Sequence, residues 1–165
     1  MTLTGFLAYS AALALAVAVP GPGIVAMVAR GLGSGFRATL PFTIGIALGD
    51  LVYLTAAVLG LAFIAKTFGV AFMLIKYAGA AYLLYLAYKF WTAGVGIDRV
   101  SARRAESPVT GFLSGLTVTL GNPKVMVFYL ALLPAIIDLS TVTLNDYLVL
   151  LVLTTAILLI ILLPY

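Results

Sequence analysis

The sequence contains neither cysteine nor histidine, which excludes disulfides, thiolate chemistry, imidazole metal ligation and Ser-His-Asp triads. It is also poor in charge. Only 8% of its 165 residues are charged, about a third of the roughly 25% carried by a soluble domain. The basic residues behind the net charge of +4 are few and scattered between apolar runs, so they act as topology signals and no nucleic-acid partner is expected. Acidic residues are scarcer still. A divalent-cation site built on paired carboxylates, and an intramembrane aspartyl protease with two acids sharing a proton, each lack the second acid. Neither an enzyme, a metal nor a cofactor is expected.

What the chain has in abundance is apolar surface, with 64% hydrophobic residues. The expected fold is an all-α integral membrane protein, a polytopic helical bundle forming one transporter domain over 1–165. Five apolar segments, at about 3–29, 39–65, 70–93, 111–137 and 146–165, each approach the roughly 20 residues that cross a hydrocarbon layer as helix. The first has no Lys or Arg before it and exceeds the usual 7–15-residue core of a signal peptide, so it reads as a spanning helix. Arg30 and Arg37 lie in the first connection, and Arg99, Arg103 and Arg104 in the third with Lys89 just before it. The second holds Lys66 alone, and the fourth has Asp138 and Asp146 without a base. The excess of positive charge on the cytoplasmic side then places the N-terminus outside.

Two segments share a start and a break. The first opens GFLAYS at Gly5 and is interrupted by PGPG at Pro20, Gly21, Pro22 and Gly23. The fourth opens GFLSGL at Gly111 and is interrupted by GNPK at Gly121, Asn122, Pro123 and Lys124. They lie three segments apart, an odd number, so the halves read as inverted three-helix repeats, the organisation of many secondary transporters. Proline removes an amide donor, and the carbonyls it frees find no water in lipid. They need a side chain, an ion, a substrate or a wet cavity. A single proline is more often a structural kink; two matched, glycine-flanked breaks point to a site.

Charge inside the apolar runs marks the same place. Asp50 lies eleven residues after Thr39, about 16 Å into the second segment, and Lys124 lies at a similar depth in the fourth. A charge there costs about 3 kcal/mol unless it faces a cavity or a partner. Lysine can extend its stem toward an interface; aspartate has no such reach. Asp50 and Lys124 are therefore expected to neighbour each other or to serve a ligand in turn. Gly45 with Gly49, and Gly111 with Gly115, form small-xxx-small pairs that permit close helix contact, within one protomer or in a dimer. In the third segment Tyr82 and Tyr85 are deep enough to line a cavity, while Tyr88 and Trp91 suit an interfacial belt.

The motifs PGPG, GIALGD and TLGNPK, in this order and spacing, resemble the signature of the LysE/RhtB family of amino-acid exporters along the whole chain. The resemblance implies an inner-membrane exporter of amino acids or their derivatives, driven by an ion gradient and often dimeric, in contact with lipid and a small-molecule substrate. It marks Pro20, Gly21, Pro22, Gly23, Gly49, Asp50, Asn122, Pro123 and Lys124 as substrate- or ion-binding positions. Alternating access around the two broken helices is the expected mechanism. The alternatives are an inorganic-ion exporter of related fold and an inactive, truncated membrane protein. Two departures stand out: Gly121 replaces the more usual Leu, and the sequence ends in its fifth segment where the family has six. The second repeat is thus expected to be incomplete, and the chain to insert but transport poorly.

Overall fold

A computed structural model describes residues 1–61, Tyr77 and 107–165. The expectations for the third segment and the connection after it, including Lys66, Tyr82, Tyr85, Tyr88, Lys89, Trp91, Arg99, Arg103 and Arg104, lie outside the described residues. Every regular element among the described residues is helical. In chain order they are α1 (Leu3–Ala18), α2 (Pro22–Ser34), α3 (Phe36–Ala56), α4 (Pro108–Leu120), α5 (Pro123–Ile136) and α6 (Leu144–Leu162). A π-helical turn, Ala57–Leu61, continues α3, and another, Phe128–Leu132, lies within α5.

The first and fourth apolar segments are each two helices. α1 and α2 meet at 54°, and α4 and α5 at 53°. Both breaks fall where the sequence places proline just inside a new helix, with Pro22 and Pro123 in the first turn, where the missing amide costs nothing. α3 and α6 are each long and apolar enough to cross a membrane unaided, and each bent pair is so when taken as one span.

Helix starts follow caps, not the edges of hydropathy, and this shifts the expected bounds. α4 begins at Pro108 because Ser107 accepts a hydrogen bond from the Thr110 amide at 3.1 Å. α6 begins at Leu144 because Thr143 and Asp146 form a reciprocal capping box. Asp146 also binds the Met1 ammonium at 2.9 Å, tying the start of the chain to the start of α6. α3 begins at Phe36 after Gly35, whose φ of 82° suits glycine and reverses the chain between α2 and α3.

Lipid is as apolar as leucine, so packing here depends on close fit and not on escape from water. The closest fit is between α3 and α4. A Cβ added to Gly45 would sit 2.1 Å from the Phe112 carbonyl oxygen, and one added to Gly115 would sit 2.0 Å from that of Phe42. The two backbones touch, so the glycine pairs serve packing within the protomer. A Cβ at Gly49 would meet the Thr119 side chain at 2.6 Å, which sets Thr119 directly beside the turn carrying Asp50.

The buried side chains form two clusters. One gathers Tyr9, Leu13, Leu54, Phe128, Tyr129 and Leu150. The other gathers Ile24, Met27, Phe42, Ile46, Leu158 and Leu162. α1 packs on α6, and α3 packs on α2, α4 and α6. Outward-facing Leu7, Leu15, Leu32, Leu113, Val152 and Ile160 are exposed, as lipid-facing residues should be.

Candidate functional site at the two helix breaks

Both breaks open onto one cavity of about 50 Å³, at the seam between the two clusters. Leu13 and Phe128 line it from one side, Ile24, Ile46, Leu158 and Leu162 from the other, and its polar wall is Asp50, Thr119, Asn122 and Lys124, with Gly21 and Gly23 beside them.

Each break leaves carbonyls without helical partners, and each is answered by another segment. In the first, the Lys124 ammonium donates to the Val19 carbonyl at 2.6 Å, and the Tyr165 hydroxyl donates to that of Ala18 at 2.8 Å. In the second, the Tyr53 hydroxyl donates to the Leu120 carbonyl at 2.5 Å. Lys124 sits in the first turn of α5, next to the positive end of that helix, where a cation is disfavoured. Its reach to the negative, carbonyl-bearing end of α1 offsets this.

Asn122 caps α5, its side-chain oxygen accepting from the Lys124 amide at 3.0 Å. Gly21 occupies the equivalent place before α2 and brings no side-chain cap. The amides of Gly23 and Ile24, in the first turn of α2, have no intrahelical acceptor. Both residues line the cavity. A bare helix N-terminus of this kind is a ready acceptor of anionic groups.

Asp50 is 5% exposed. Among the described residues it forms no ion pair with Lys124, whose ammonium is engaged at Val19. The two charges nonetheless share the cavity wall. One carboxylate, one ammonium and a bare helix N-terminus around a small, largely apolar void can hold both ends of a zwitterion.

Of the nine residues marked by sequence, Gly21, Gly23, Asp50, Asn122 and Lys124 line the cavity. Pro20 and Pro22 are exposed and do not. Pro22 and Pro123 instead begin the second half of each broken helix, and Gly49 packs on Thr119. Thr119 lies within TLGNPK, but nothing in the sequence sets it apart from other helical threonines. Tyr9, Tyr129 and Thr154, buried beneath the site, were missed altogether. Hydroxyl residues are common in membrane helices, and only tertiary proximity sets these apart.

The LysE type translocator family model matches residues 14–163. The leucine efflux protein of Enterobacter sp. (strain 638) is 33% identical over 125 residues, which is 75% of this chain and 59% of that protein. The homoserine/homoserine lactone efflux protein of Salmonella typhi is 30% identical over 150 residues, covering 91% and 73%. An uncharacterized membrane protein of Synechocystis sp. is 28% identical over 146 residues, covering 88% and 71%. The chain thus spans less than two thirds of the leucine efflux protein and somewhat more of the other two. No solved structure matches it.

Proposed function

The chain belongs to the LysE type translocator family, and on that premise we propose that it is an inner-membrane exporter of amino acids or their derivatives, driven by an ion gradient. The observation that carries this reading is the shared cavity, where Asp50, Lys124 and the first-turn residues Gly23 and Ile24 of α2 line one small void. The substrate ammonium goes to Asp50. The substrate carboxylate goes to the amides of Gly23 and Ile24 and to Lys124, which must leave the Val19 carbonyl to reach it.

The cavity of about 50 Å³ is too small for a leucine-sized substrate, so binding has to part the helices around it. α3 and α6 are continuous and contribute to both clusters, so the parts free to swing are the half-helices that meet at the two breaks. Swinging these half-helices about the breaks exposes the cavity to one side of the membrane and then to the other. Asp50 carries the coupling proton when the substrate is absent. One charge crossing the membrane potential supplies about 2.3 kcal/mol per 100 mV, roughly a fifty-fold concentration ratio.

The efflux activities in the names of two relatives suggest leucine and homoserine as first probes. Cells producing the chain and fed a leucine-containing or homoserine-containing dipeptide should release the free amino acid faster than vector cells. No excess release of either, with the protein present in the membrane, would overturn the reading for these substrates; a panel of the remaining amino acids would then overturn it entirely. Reporter fusions after Arg37 and after Leu139 should report cytoplasm and exterior respectively, as an outside N-terminus requires.

A further inference from the structure

A second cavity, of about 260 Å³, adjoins the first, which holds about 50 Å³. Met27 and Gly31 of α2, Thr39 and Thr43 of α3 and Leu162 of α6 are among its walls. It sits where α2 ends and α3 begins, around the basic pair Arg30 and Arg37, which the proposed orientation places at the cytoplasmic face. Export starts from that face.

Among the described residues Leu162 alone lines both cavities. It is buried, at 3% exposure, and belongs to the second hydrophobic cluster, whose Ile24, Ile46 and Leu158 face the Asp50 site while Met27 faces the larger cavity. That cluster is therefore a partition. It is also thin: Ile24 and Met27 lie three residues apart on α2, as do Thr43 and Ile46 on α3, so the two linings are separated by about 4.5 Å along each helix, less than one turn. A zwitterion does not diffuse through packed apolar side chains, because each charged group would lose its water and gain no partner. It crosses only when the partition opens.

We propose that Leu162 is the inner gate of the exporter, and that the larger cavity is an entry vestibule for the substrate amino acid, shut off from the Asp50 site until α2 swings about the first break. The inference rests on the exporter reading above. Ile24 and Met27 ride on α2, a half-helix free to move, whereas Leu162 stands on the continuous α6. The Tyr165 amide donates to the Leu162 carbonyl at 3.2 Å, and the Tyr165 hydroxyl donates to that of Ala18 at 2.8 Å. The turn after α6 is thus held to α1, and α6 stays with α1 when α2 leaves. The polar groups of the vestibule suit a substrate in transit. Thr39 gives its hydroxyl proton to the Gly35 carbonyl at 3.0 Å, and Thr43 shares its own between the Met27 sulfur and the Thr39 carbonyl, both at 3.3 Å. Lone pairs remain for an ammonium, with no charge to retain it, so it is held less firmly there than at Asp50.

Because the chain has no cysteine, single introduced cysteines report access cleanly. The test uses the full chain in inside-out vesicles with a membrane-impermeant maleimide. Thr39→Cys, in the vestibule, should label readily, and leucine or homoserine should slow the reaction. Thr119→Cys, in the site, should label slowly by itself and at least about tenfold faster when combined with Leu162→Ala, since a closed site is otherwise reached only by local opening. Leu162→Val removes less of the side chain, disturbs the fold less and should give an intermediate rate. Gly31→Leu should nearly abolish export without lowering the melting temperature in detergent: outside its own helix a Cβ there meets nothing nearer than the Thr39 hydroxyl at 3.9 Å, so the new side chain fills the vestibule. Equal labelling of Thr119→Cys with Leu, Val or Ala at position 162 overturns the gate. Thr39→Cys that reacts only with a membrane-permeant maleimide overturns the vestibule and makes the cavity a lipid-filled groove, and normal export by Gly31→Leu overturns the entry route. A wild-type chain that exports no amino acid would instead overturn the exporter reading, whatever the labelling pattern.

Discussion

The two helix breaks bend alike, by 54° and 53°, but they are chemically unequal. The first is glycine and proline only, with no side chain to cap α2. The second supplies its own cap in Asn122 and an ammonium in Lys124, which crosses to satisfy the first break at Val19. One break therefore provides a bare, anion-accepting helix end, and the other provides the polar side chains. A duplicated geometry has been divided into complementary halves, which suits a ligand with two opposite charges better than two identical breaks would.

The largest effect is expected where the second break is aligned with Asp50. Gly115→Leu drives a side chain into the Phe42 carbonyl, whose oxygen would be 2.0 Å from the new Cβ. Overpacking costs about 1–3 kcal/mol even where neighbours can yield, and backbone on both sides cannot. Thermal unfolding in detergent should show loss of the folded protein, while Gly60→Leu, which meets nothing within 4 Å among the described residues, should melt closer to the wild type. If Gly115→Leu is tolerated, α4 does not hold the second break in place.

Next comes the group that both breaks face. Asp50→Asn should abolish leucine or homoserine export and leave membrane insertion intact. Normal efflux by this variant at several pH values would remove Asp50 from the coupling role.

The two breaks should then come apart under single substitutions. Lys124→Met leaves the Val19 carbonyl unpaired, at about 1–3 kcal/mol, and should broaden spin-label distances measured between α1 and α2 more than those between α4 and α5. Asn122→Ala should do the reverse, at the typical cap cost of about 1 kcal/mol. Equal broadening at both breaks in both variants would show that they are one mechanical unit.

The smallest effect lies outside the breaks, at Asp138. The Ser140 hydroxyl and amide both donate to its carboxylate, at 2.7 and 3.0 Å, and hold it below the usual carboxylate range. A lowered folded-state value gives stability that is present above the ordinary aspartate range and is lost as pH falls through the lowered one. Asp138→Asn should thus slightly lower the melting temperature at neutral pH, with the difference vanishing in acid, and should not alter export. A loss of export would extend the functional site beyond the two breaks.

Sequence by itself determined the medium, the helical class and the place of both breaks. Hydropathy, proline geometry and the absence of histidine and cysteine act residue by residue and need no partner to be read. Hydropathy alone does not place the helix ends, which depend on caps such as Ser107 and the Thr143–Asp146 pair. It was tertiary structure that decided which way the charges point. Lys124 reaches the Val19 carbonyl, 105 residues away, and not Asp50, and Tyr9 meets Thr154 across 145 residues. Such pairings depend on how helices cross, here set by the backbone contact of Gly45 and Gly115 with the facing helix, and a crossing angle belongs to two segments at once. No local pattern in either segment encodes it.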